Sequence, residues 1–222
     1  MAMPRLETTD RMRSVQIAIL AKAPVPGLAK TRLIPALGTR GAARLQRRFA
    51  RAAVETAFAA GLGPVTIWCA PDAGHRFFRA LRECCGIATL GQPAGDLGAR
   101  MHHALNVHCI AGPTLLIGTD CPALDARHLR RAAVALLEGR DAVFIPAEDG
   151  GYVLVGLRAP RLQLFDGITW STPSVMTETR ARAASMGLRI AEFEPLWDVD
   201  TPDDLRRLRE LPDWAARREV CA

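Results

Sequence analysis

The feature that most constrains the fold is an alternation between short apolar runs of strand length and longer segments with helical apolar spacing. The first apolar run, residues 15–21, precedes a helical pattern over 38–60. Further strand-like runs follow, with helical patterns between them, at residues 65–69, 87–90, 114–117 and 142–146. A helix between two strands returns the chain to the same edge of the sheet, so this pattern predicts a mostly parallel sheet covered on both faces.

The alternation is interrupted once. Residues 152–157 follow the fifth strand-like run with no helix between, which predicts an antiparallel insertion and therefore a mixed sheet. A helix over 172–186, capped by Ser171 or Thr172 with Pro173 in its first turn, precedes the last strand, and a helix over 202–210 ends the pattern. The predicted fold class is an α/β three-layer sandwich with a mostly parallel mixed sheet.

Composition sets the number of domains and limits the classes of partner. A chain of 222 residues, 49% hydrophobic and 23% charged, predicts one domain over 14–211, between a polar leader at 1–13 and a C-terminal tail at 212–222. The net charge is +6, but the arginines are dispersed and aromatic residues make up 5% of the chain. Without a basic stripe interleaved with aromatic residues, the charge favours anionic small molecules over nucleic acid.

The cysteines and the N-terminal region predict a cytoplasmic protein. The six cysteines lack the paired short spacings of a zinc site, which is typical of reduced thiols. Residues 11–23 imitate a secretion signal, but the apolar run is short and cleavage after it would remove Lys22. No stretch has the roughly twenty apolar residues of a membrane span.

The chain's lysines lie in a single loop. Of 29 Lys and Arg residues only Lys22 and Lys30 are lysines, and both border the loop after the first strand, with Gly27 between them and Arg32 following. A compact ammonium group beside a backbone that a ligand can approach closely predicts phosphate binding. The P-loop and dinucleotide glycine patterns are both absent. A solvated, proline-rich loop is the alternative interpretation.

Three aspartates predict a metal site. Asp120 follows an apolar strand at the carboxyl end, where ligands of parallel sheets collect, although it could instead cap the next turn. Asp198 and Asp200 precede Thr201, a predicted helix N-cap, so the helix dipole does not explain them as it explains the two acids that follow. Together these carboxylates could hold Mg²⁺ or Mn²⁺.

Two glycine-rich segments are ambiguous from sequence alone. The loop over 95–101 could clamp a ligand with Gly98 and Arg100, or it could be a simple capped helix start. The segment over 148–152, which contains Asp149, could contribute to a site or be an ordinary hairpin turn.

Six motifs in order resemble a bacterial glycosyltransferase-like family, some of whose members are labelled arsenosugar biosynthesis glycosyltransferases. The family belongs to the nucleotide-diphospho-sugar transferase superfamily with the GT-A fold, near phospholactate guanylyltransferase and the molybdenum cofactor guanylyltransferases. The matching segments are AKAPVPGLAKTRL (21–33), GDLGARM (95–101), GTDCPAL (118–124), PAEDGGYVLVG (146–156), WST (170–172) and DVDTPDDL (198–205).

The resemblance implies roles for these segments. Nucleotide phosphates would be held by the lysine loop through Lys22, Lys30 and Arg32, in addition to the close approach that Gly27 allows. Gly98 and Arg100 would lie near the base or ribose, and Asp120 and Asp200 would hold the divalent metal, to which the residue pattern adds Asp198. The acceptor would be contacted by Gly150, Gly151, Tyr152 and Trp170.

The expected function is a metal-dependent glycosyltransferase that uses a nucleotide-sugar donor and a small acceptor, with Lys30 and Asp149 as catalytic residues. Nucleotidyl transfer from a nucleoside triphosphate to a phosphorylated small molecule is the first alternative. The sequence lacks the glycine-rich opening of pyrophosphorylases, and Asp120 lacks the second aspartate of the glycosyltransferase Asp-x-Asp pair. A non-catalytic nucleotide-binding protein is the second alternative.

Overall fold

The computed structural model describes residues 8–211 and residue 214, and it contains one seven-stranded sheet in the order β3-β2-β1-β4-β6-β5-β7. The strands are β1 (Gln16–Lys22), β2 (Val65–Ala70), β3 (Ala88–Gly91), β4 (Thr114–Ile117), β5 (Ala142–Pro146), β6 (Tyr152–Leu157) and β7 (Ile190–Glu192). Strand β6 pairs antiparallel with both β4 and β5, and the other neighbouring strands pair in parallel. The predicted mixed sheet and its antiparallel insertion are confirmed.

Helices cover both faces of this sheet. They are α1 (Thr8–Arg13), α2 (Ile34–Ala59), α3 (Arg76–Cys85), α4 (Leu97–Cys109), α5 (Ala126–Leu137), α6 (Val175–Ser185) and α7 (Pro202–Arg209). Alternate residues of β1 separate two cores: Ile17 and Ile19 pack with α2, α3 and α5, whereas Ala18 packs with α4 and α6. Successive side chains of a strand point to opposite faces, so β1 contributes to both layers of a three-layer sandwich.

Strand order places a crevice between β1 and β4. Strand β1 lies between β2 and β4, and the strand order reverses here: the chain continues from β1 to β2 in one direction across the sheet and from β4 to β5 in the other, although α2 and α5 pack on the same face. Such a switch point leaves an open crevice where open α/β sheets bind ligands. The lysine loop follows β1 and Asp120 follows β4, so topology brings both segments to this crevice.

The predicted start of α6 is wrong. The helix begins at Val175 with Ser174 as its N-cap residue, whereas Ser171 has a left-handed backbone (φ 63°). The Thr172 hydroxyl donates to the carbonyl of Thr169, 2.6 Å away. These residues therefore form a turn, which packs against Gly150 through the Pro173 backbone.

Helix α2 begins earlier than its apolar spacing predicts. Its first turn starts at Ile34, and Gly38, with φ 68°, kinks the helix at the residue where the regular pattern begins. A positive φ is readily adopted by glycine, which explains why the apolar pattern restarts there.

The two predicted terminal segments are only partly described. Residues 8–13 of the leader form α1, and Met12 packs against the core. Trp214 of the tail packs against Phe49, with their ring centroids 4.9 Å apart. The rest of the leader, residues 1–7, and the rest of the tail, 212–213 and 215–222, lie outside the described residues. Among the helices described, none combines the length and apolar character needed to cross a bilayer.

Candidate active site

Lys30 lies at the centre of the crevice between β1 and β4. Its backbone is left-handed (φ 49°, ψ 49°), and its side chain is 5% exposed. The ammonium nitrogen Nζ lies 3.0 Å from Asp120 Oδ2, 3.0 Å from Asp200 Oδ1 and 2.6 Å from the carbonyl oxygen of Val199. Residues from three distant parts of the chain therefore meet at one cation.

These contacts account for every proton of the Lys30 ammonium. Burial lowers the pKa of Lys30, but the charges of Asp120 and Asp200 outweigh it, so the pKa is raised and the group stays protonated. An ammonium has three N–H donors, and three oxygen acceptors lie within reach. In this arrangement Lys30 holds the two aspartates in place. Its direct contact with phosphate stays a prediction, which requires one of the three acceptors to be given up.

Two buried polar side chains, those of Thr119 and Gln46, hold the Asp120 carboxylate in position through successive hydrogen bonds. The Thr119 hydroxyl donates to Asp120 Oδ1 at 2.9 Å, and Gln46 Nε2 donates to Thr119 Oγ1 at 3.2 Å. Gln46 Nε2 also lies 3.3 Å from the carbonyl oxygen of Lys22, at the end of β1. Gln46 and Thr119 were missed by sequence reasoning, although a glutamine within the apolar stripe of an amphipathic helix was an available signal.

Asp198 stands in an unusually negative environment. Burial first, and then the negative charges of Asp149 and Asp200, raise its pKa to about 6. The carboxylates of Asp120, Asp149 and Asp200 all act on Asp198, and among the described residues the ion pairs of this group are those of Lys30 with Asp120 and Asp200 and of Arg32 with Asp200. Hard carboxylate oxygens in excess of their cations match the chemistry of a Mg²⁺ or Mn²⁺ site.

The metal-ligand prediction is compatible with this donor set but has no preformed cage. In the chain from 8 to 211, no three His, Cys, Asp or Glu side chains already converge as a metal-binding group. The ion pairs of Lys30 with Asp120 and Asp200 occupy part of the ligand capacity. The assignment of Asp120, Asp198 and Asp200 to a metal therefore stays a prediction, supported by their shared negative environment.

The start of α7 confirms the predicted division of the aspartates in residues 198–204 into two that precede the helix cap and two in the first helical turn. Thr201 caps the helix with Pro202 in the first turn, and Asp204 accepts hydrogen bonds from the backbone N–H groups of Asp200 and Thr201. Asp204 therefore stabilises the helix start. Asp198 and Asp200 precede the cap and face the crevice instead.

The turn between β5 and β6 serves both as a hairpin connection and as one wall of the crevice. Glu148 forms a two-point ion pair with Arg207, at 2.7 and 2.9 Å. Asp149 Oδ1 accepts the Gly151 N–H at 2.9 Å, and the Asp149 side chain is exposed near Asp198. Gly150 has φ 95° and meets the Pro173 backbone, so a side chain is excluded there. Of the two acidic residues in this turn, Glu148 is held by Arg207, so Asp149 is the one whose carboxylate remains available for chemistry.

Gly98 and Trp170 form a second cluster at the same edge of the sheet, where α4 begins. A Cβ on Gly98 would lie 2.4 Å from the indole nitrogen of Trp170, so these two residues are in direct contact. The Trp170 ring also meets Tyr152 edge-on, at a centroid distance of 6.4 Å. Asp96 caps α4 by accepting the Ala99 N–H. The capped helix start, one of the two sequence interpretations, is therefore present.

The remaining predicted residues lie on the rim. Lys22 and Gly27 are exposed, and Gly27, with φ 84°, has open space where a Cβ would stand. Arg32 Nη1 lies 3.5 Å from Asp200 Oδ2. Arg100 is half-buried, and its Nε donates to the Gly95 carbonyl at 3.0 Å. The structure thus brings Lys30, Arg32 and the aspartates together, whereas contacts of Lys22, Gly27 and Arg100 with a ligand stay predictions.

Substitution of Gly98 by alanine is expected to destabilise the protein by about 1–3 kcal/mol, because the added methyl group would overlap the Trp170 indole. Alanine is favoured over glycine in helices by up to about 1 kcal/mol, so helix propensity alone predicts the opposite sign. Urea unfolding followed by tryptophan fluorescence measures the change. The matched control is Gly91→Ala, where the added Cβ would meet nothing within 4 Å. Equal stability of the two variants would contradict a tight Gly98–Trp170 contact.

Comparison with known proteins identifies relatives at the level of family and fold. A model of the family described as uncharacterized protein conserved in bacteria (DUF2064) matches residues 42–172. The crystal structure of a candidate nucleotide-diphospho-sugar transferase from Desulfovibrio desulfuricans G20 is similar with 28% identity and a TM-score of 0.83, over 94% of this chain and 92% of that one. No curated protein sequence matches the chain.

More distant structures share the fold. A nucleotidyl transferase from Methanothermobacter thermautotroptrophicus has 17% identity and a TM-score of 0.60, over 92% of this chain and 99% of that one. The CMP:2-keto-3-deoxy-manno-octonic acid synthetase in complex with CTP has 16% identity and a TM-score of 0.54, over 88% and 96%. The α/β fold is therefore that of the nucleotide-diphospho-sugar transferases, as predicted.

Proposed function

The chain belongs to the bacterial DUF2064 family and is a transferase of the nucleotide-diphospho-sugar transferase superfamily, and we propose that it moves a sugar from a nucleotide-diphospho-sugar to a small acceptor. The observation that carries this proposal is the Lys30 ammonium held between Asp120 and Asp200 at the switch point of the sheet. Opposite charges concentrated at this crevice suit a donor whose leaving group is an anionic diphosphate.

The donor's diphosphate is proposed to lie against the lysine loop. Arg32 and Lys22 are exposed on this side of the crevice, and the open backbone at Gly27 allows close approach of phosphate oxygens. Gly98 and Arg100, farther along the same edge, are proposed to contact the base or ribose. The guanidinium of Arg100 is anchored to the Gly95 carbonyl, which limits its freedom before a ligand binds.

Asp120, Asp198 and Asp200 are the proposed holders of Mg²⁺ or Mn²⁺, which would supply positive charge against the departing diphosphate. The surroundings of Asp198 support this proposal: its pKa is raised first by burial and then by the negative charges of Asp149, Asp200 and Asp120, and a bound cation would offset both effects. Lys30 orients Asp120 and Asp200 through ion pairs of 3.0 Å each, and its positive charge lies within the same crevice.

Asp149 is the proposed base or orienting group for an acceptor hydroxyl. Its carboxylate is exposed at the rim, and the Gly151 N–H fixes one of its oxygens. A carboxylate held in this way can accept the proton that the hydroxyl loses as it attacks the sugar. The proposed acceptor side consists of Gly150, Gly151, Tyr152 and Trp170, since the turn and the Tyr152–Trp170 pair adjoin Asp149.

The proposal places the reaction in the cytoplasm, in agreement with Cys69 and Cys109, which are buried thiols outside any disulfide.

Nucleotidyl transfer is the second candidate, favoured by the similarity of the fold to a nucleotidyl transferase and to a synthetase complexed with CTP. The same residues would then hold a triphosphate, and pyrophosphate would leave. Product analysis separates the two reactions. Sugar transfer releases a nucleoside diphosphate, whereas nucleotidyl transfer releases pyrophosphate and leaves the nucleotide on the acceptor.

The test is a thermal-shift titration with UDP, GDP, CDP and dTDP sugars, with and without Mn²⁺. We expect at least one donor to raise the Tm in a Mn²⁺-dependent way, and Asp120→Asn to weaken its binding at least tenfold. The matched control is Asp203→Asn, an exposed aspartate paired with Arg206 on α7. If no nucleotide sugar raises the Tm with any metal, the sugar-transfer proposal is wrong, and if GTP and CTP in the same assay also have no effect, nucleotidyl transfer is wrong as well. Metal-independent binding that tolerates Asp120→Asn would instead indicate a non-catalytic nucleotide-binding protein.

A further inference from the structure

A cavity of about 330 Å³ lies between α2 and α3, away from the lysine loop and the four aspartates. Val54, Phe77 and Leu81 contribute apolar side chains to its lining, and Arg47, Arg51 and Arg76 contribute basic side chains. A volume of this size is at the small end of ligand pockets in proteins. None of its lining residues belongs to the candidate active site, so the proposed transfer reaction leaves this cavity without a role.

The positive charges of these three arginines are not neutralised by ion pairs within the protein. Among the described residues, none of their guanidinium groups forms a side-chain hydrogen bond or an ion pair, and the cavity wall contributes a single carboxylate, that of Glu55. The cavity therefore has a positive potential that attracts anions. Arg76 is also the first residue of α3, where the helix dipole favours negative charge.

Arg51 carries the most specific signal. Its Nη1 atom has almost no solvent contact and no hydrogen-bond partner among the residues described. Buried donors in native proteins are nearly always paired, because a donor removed from water without an acceptor is unfavourable. In the present side-chain conformation Nη1 does not touch the open space of the cavity, so a turn of the Arg51 side chain toward a bound anion would give this donor its acceptor. A planar guanidinium can also bind phosphate or carboxylate through two parallel hydrogen bonds.

We propose that this cavity binds a small amphipathic anion, with a phosphate or carboxylate head at Arg47, Arg51 and Arg76 and an apolar body against Val54, Phe77 and Leu81. The proposed ligand follows from the arginines and the apolar residues of the cavity taken together. The arginines alone would suit inorganic phosphate, and the apolar wall alone would suit a neutral hydrophobic compound. Their combination selects a molecule that carries both groups.

The test is calorimetric titration of the full chain with n-octyl phosphate below its micelle concentration, alongside inorganic phosphate and n-octyl glucoside. We expect n-octyl phosphate to bind with 1:1 stoichiometry and at least tenfold more tightly than either partial probe. Octanoate serves as the carboxylate counterpart. Arg51→Gln is expected to weaken n-octyl phosphate binding at least tenfold. The matched control is Arg44→Gln, an exposed arginine of the same helix outside the cavity, which should bind as the wild type does.

A second variant tests the apolar half while the arginines remain. Ala80 lines the cavity from α3 and is exposed, so Ala80→Trp is expected to fill the space and abolish n-octyl phosphate binding without unfolding the protein. Circular dichroism checks that each variant is folded. Absence of n-octyl phosphate binding to the wild type would overturn the proposal. Equal losses in Arg51→Gln and Arg44→Gln, or full binding by folded Ala80→Trp, would also overturn it.

Discussion

Replacement of Lys30 by arginine is expected to lower kcat/KM about 100-fold although the charge is kept, because displacement of catalytic groups by about 1 Å can have an effect of that size. The Lys30 Nζ makes three contacts of 2.6 to 3.0 Å at a 5% exposed site. It also lies 5.5 Å from the Phe49 ring centroid. A planar guanidinium is larger and cannot direct three hydrogen bonds from one nitrogen, so Asp120 and Asp200 must move.

The measurement is release of nucleoside diphosphate from the donor that gives the largest thermal shift. Arg206→Lys is the matched control, since it exchanges one cation for the other at an exposed position on α7. Lys30→Met tests the structural part: it removes the ion pair of Asp120 and leaves Asp200 with its 3.5 Å pair to Arg32, and it is expected to reduce the free energy of unfolding by about 2 kcal/mol, since both aspartates are partly exposed. Full turnover by Lys30→Arg would show that a compact ammonium group is not required here.

Substitution of Asp198 by asparagine is expected to stabilise the metal-free protein at pH 8 by about 1–3 kcal/mol. The pKa of Asp198 is raised from 3.8 to about 6, firstly by burial and then by the charges of Asp149 and Asp200. Between these values the folded state binds more protons than the unfolded state, so wild-type stability falls as the pH rises through 6. Asparagine is neutral at every pH and avoids this loss.

The stability gap between Asp198→Asn and the wild type should therefore be smallest below the unfolded pKa of 3.8, widen as the pH rises to about 6, and be complete above about pH 7. Urea unfolding at a series of pH values in the presence of EDTA measures it. Asp203→Asn, whose carboxylate is exposed and outside the crevice, is the control. Added Mn²⁺ should favour the wild type if Asp198 binds the ion. A gap that does not change with pH would contradict the raised pKa.

Most of the secondary structure could be predicted because it depends on local patterns. The bounds of β4, β5 and β6 agree with the predicted runs residue for residue. The start of α6 could not be predicted, because its position depends on a packing contact between Pro173 and Gly150, which lies in another part of the chain. A local capping rule cannot anticipate such a contact.

The sequence indicated which residues belong to the candidate site better than it indicated which of them contact one another. Residues after the strands were recognisable because parallel sheets gather them at one edge. Spacing did not indicate that Lys30 would bind Asp120 and Asp200, 90 and 170 residues away, or that Gln46 and Thr119 would support Asp120. The predicted phosphate ligand Lys30 is instead engaged with the predicted metal ligands.

The sequence by itself determined the α/β class, the antiparallel insertion and the identity of the charged loops, because apolar periodicity and turn residues act over a few positions. Which charges meet depends on the tertiary structure: strand order makes the loops after β1 and β4 neighbours, and the segment after β7 crosses back to them, where the Val199 N–H donates to the Asp120 carbonyl. The tertiary structure also decided that Gly98 accommodates Trp170 and that three unpaired arginines line a cavity between α2 and α3. Such contacts depend on distances across the fold, which local patterning does not encode.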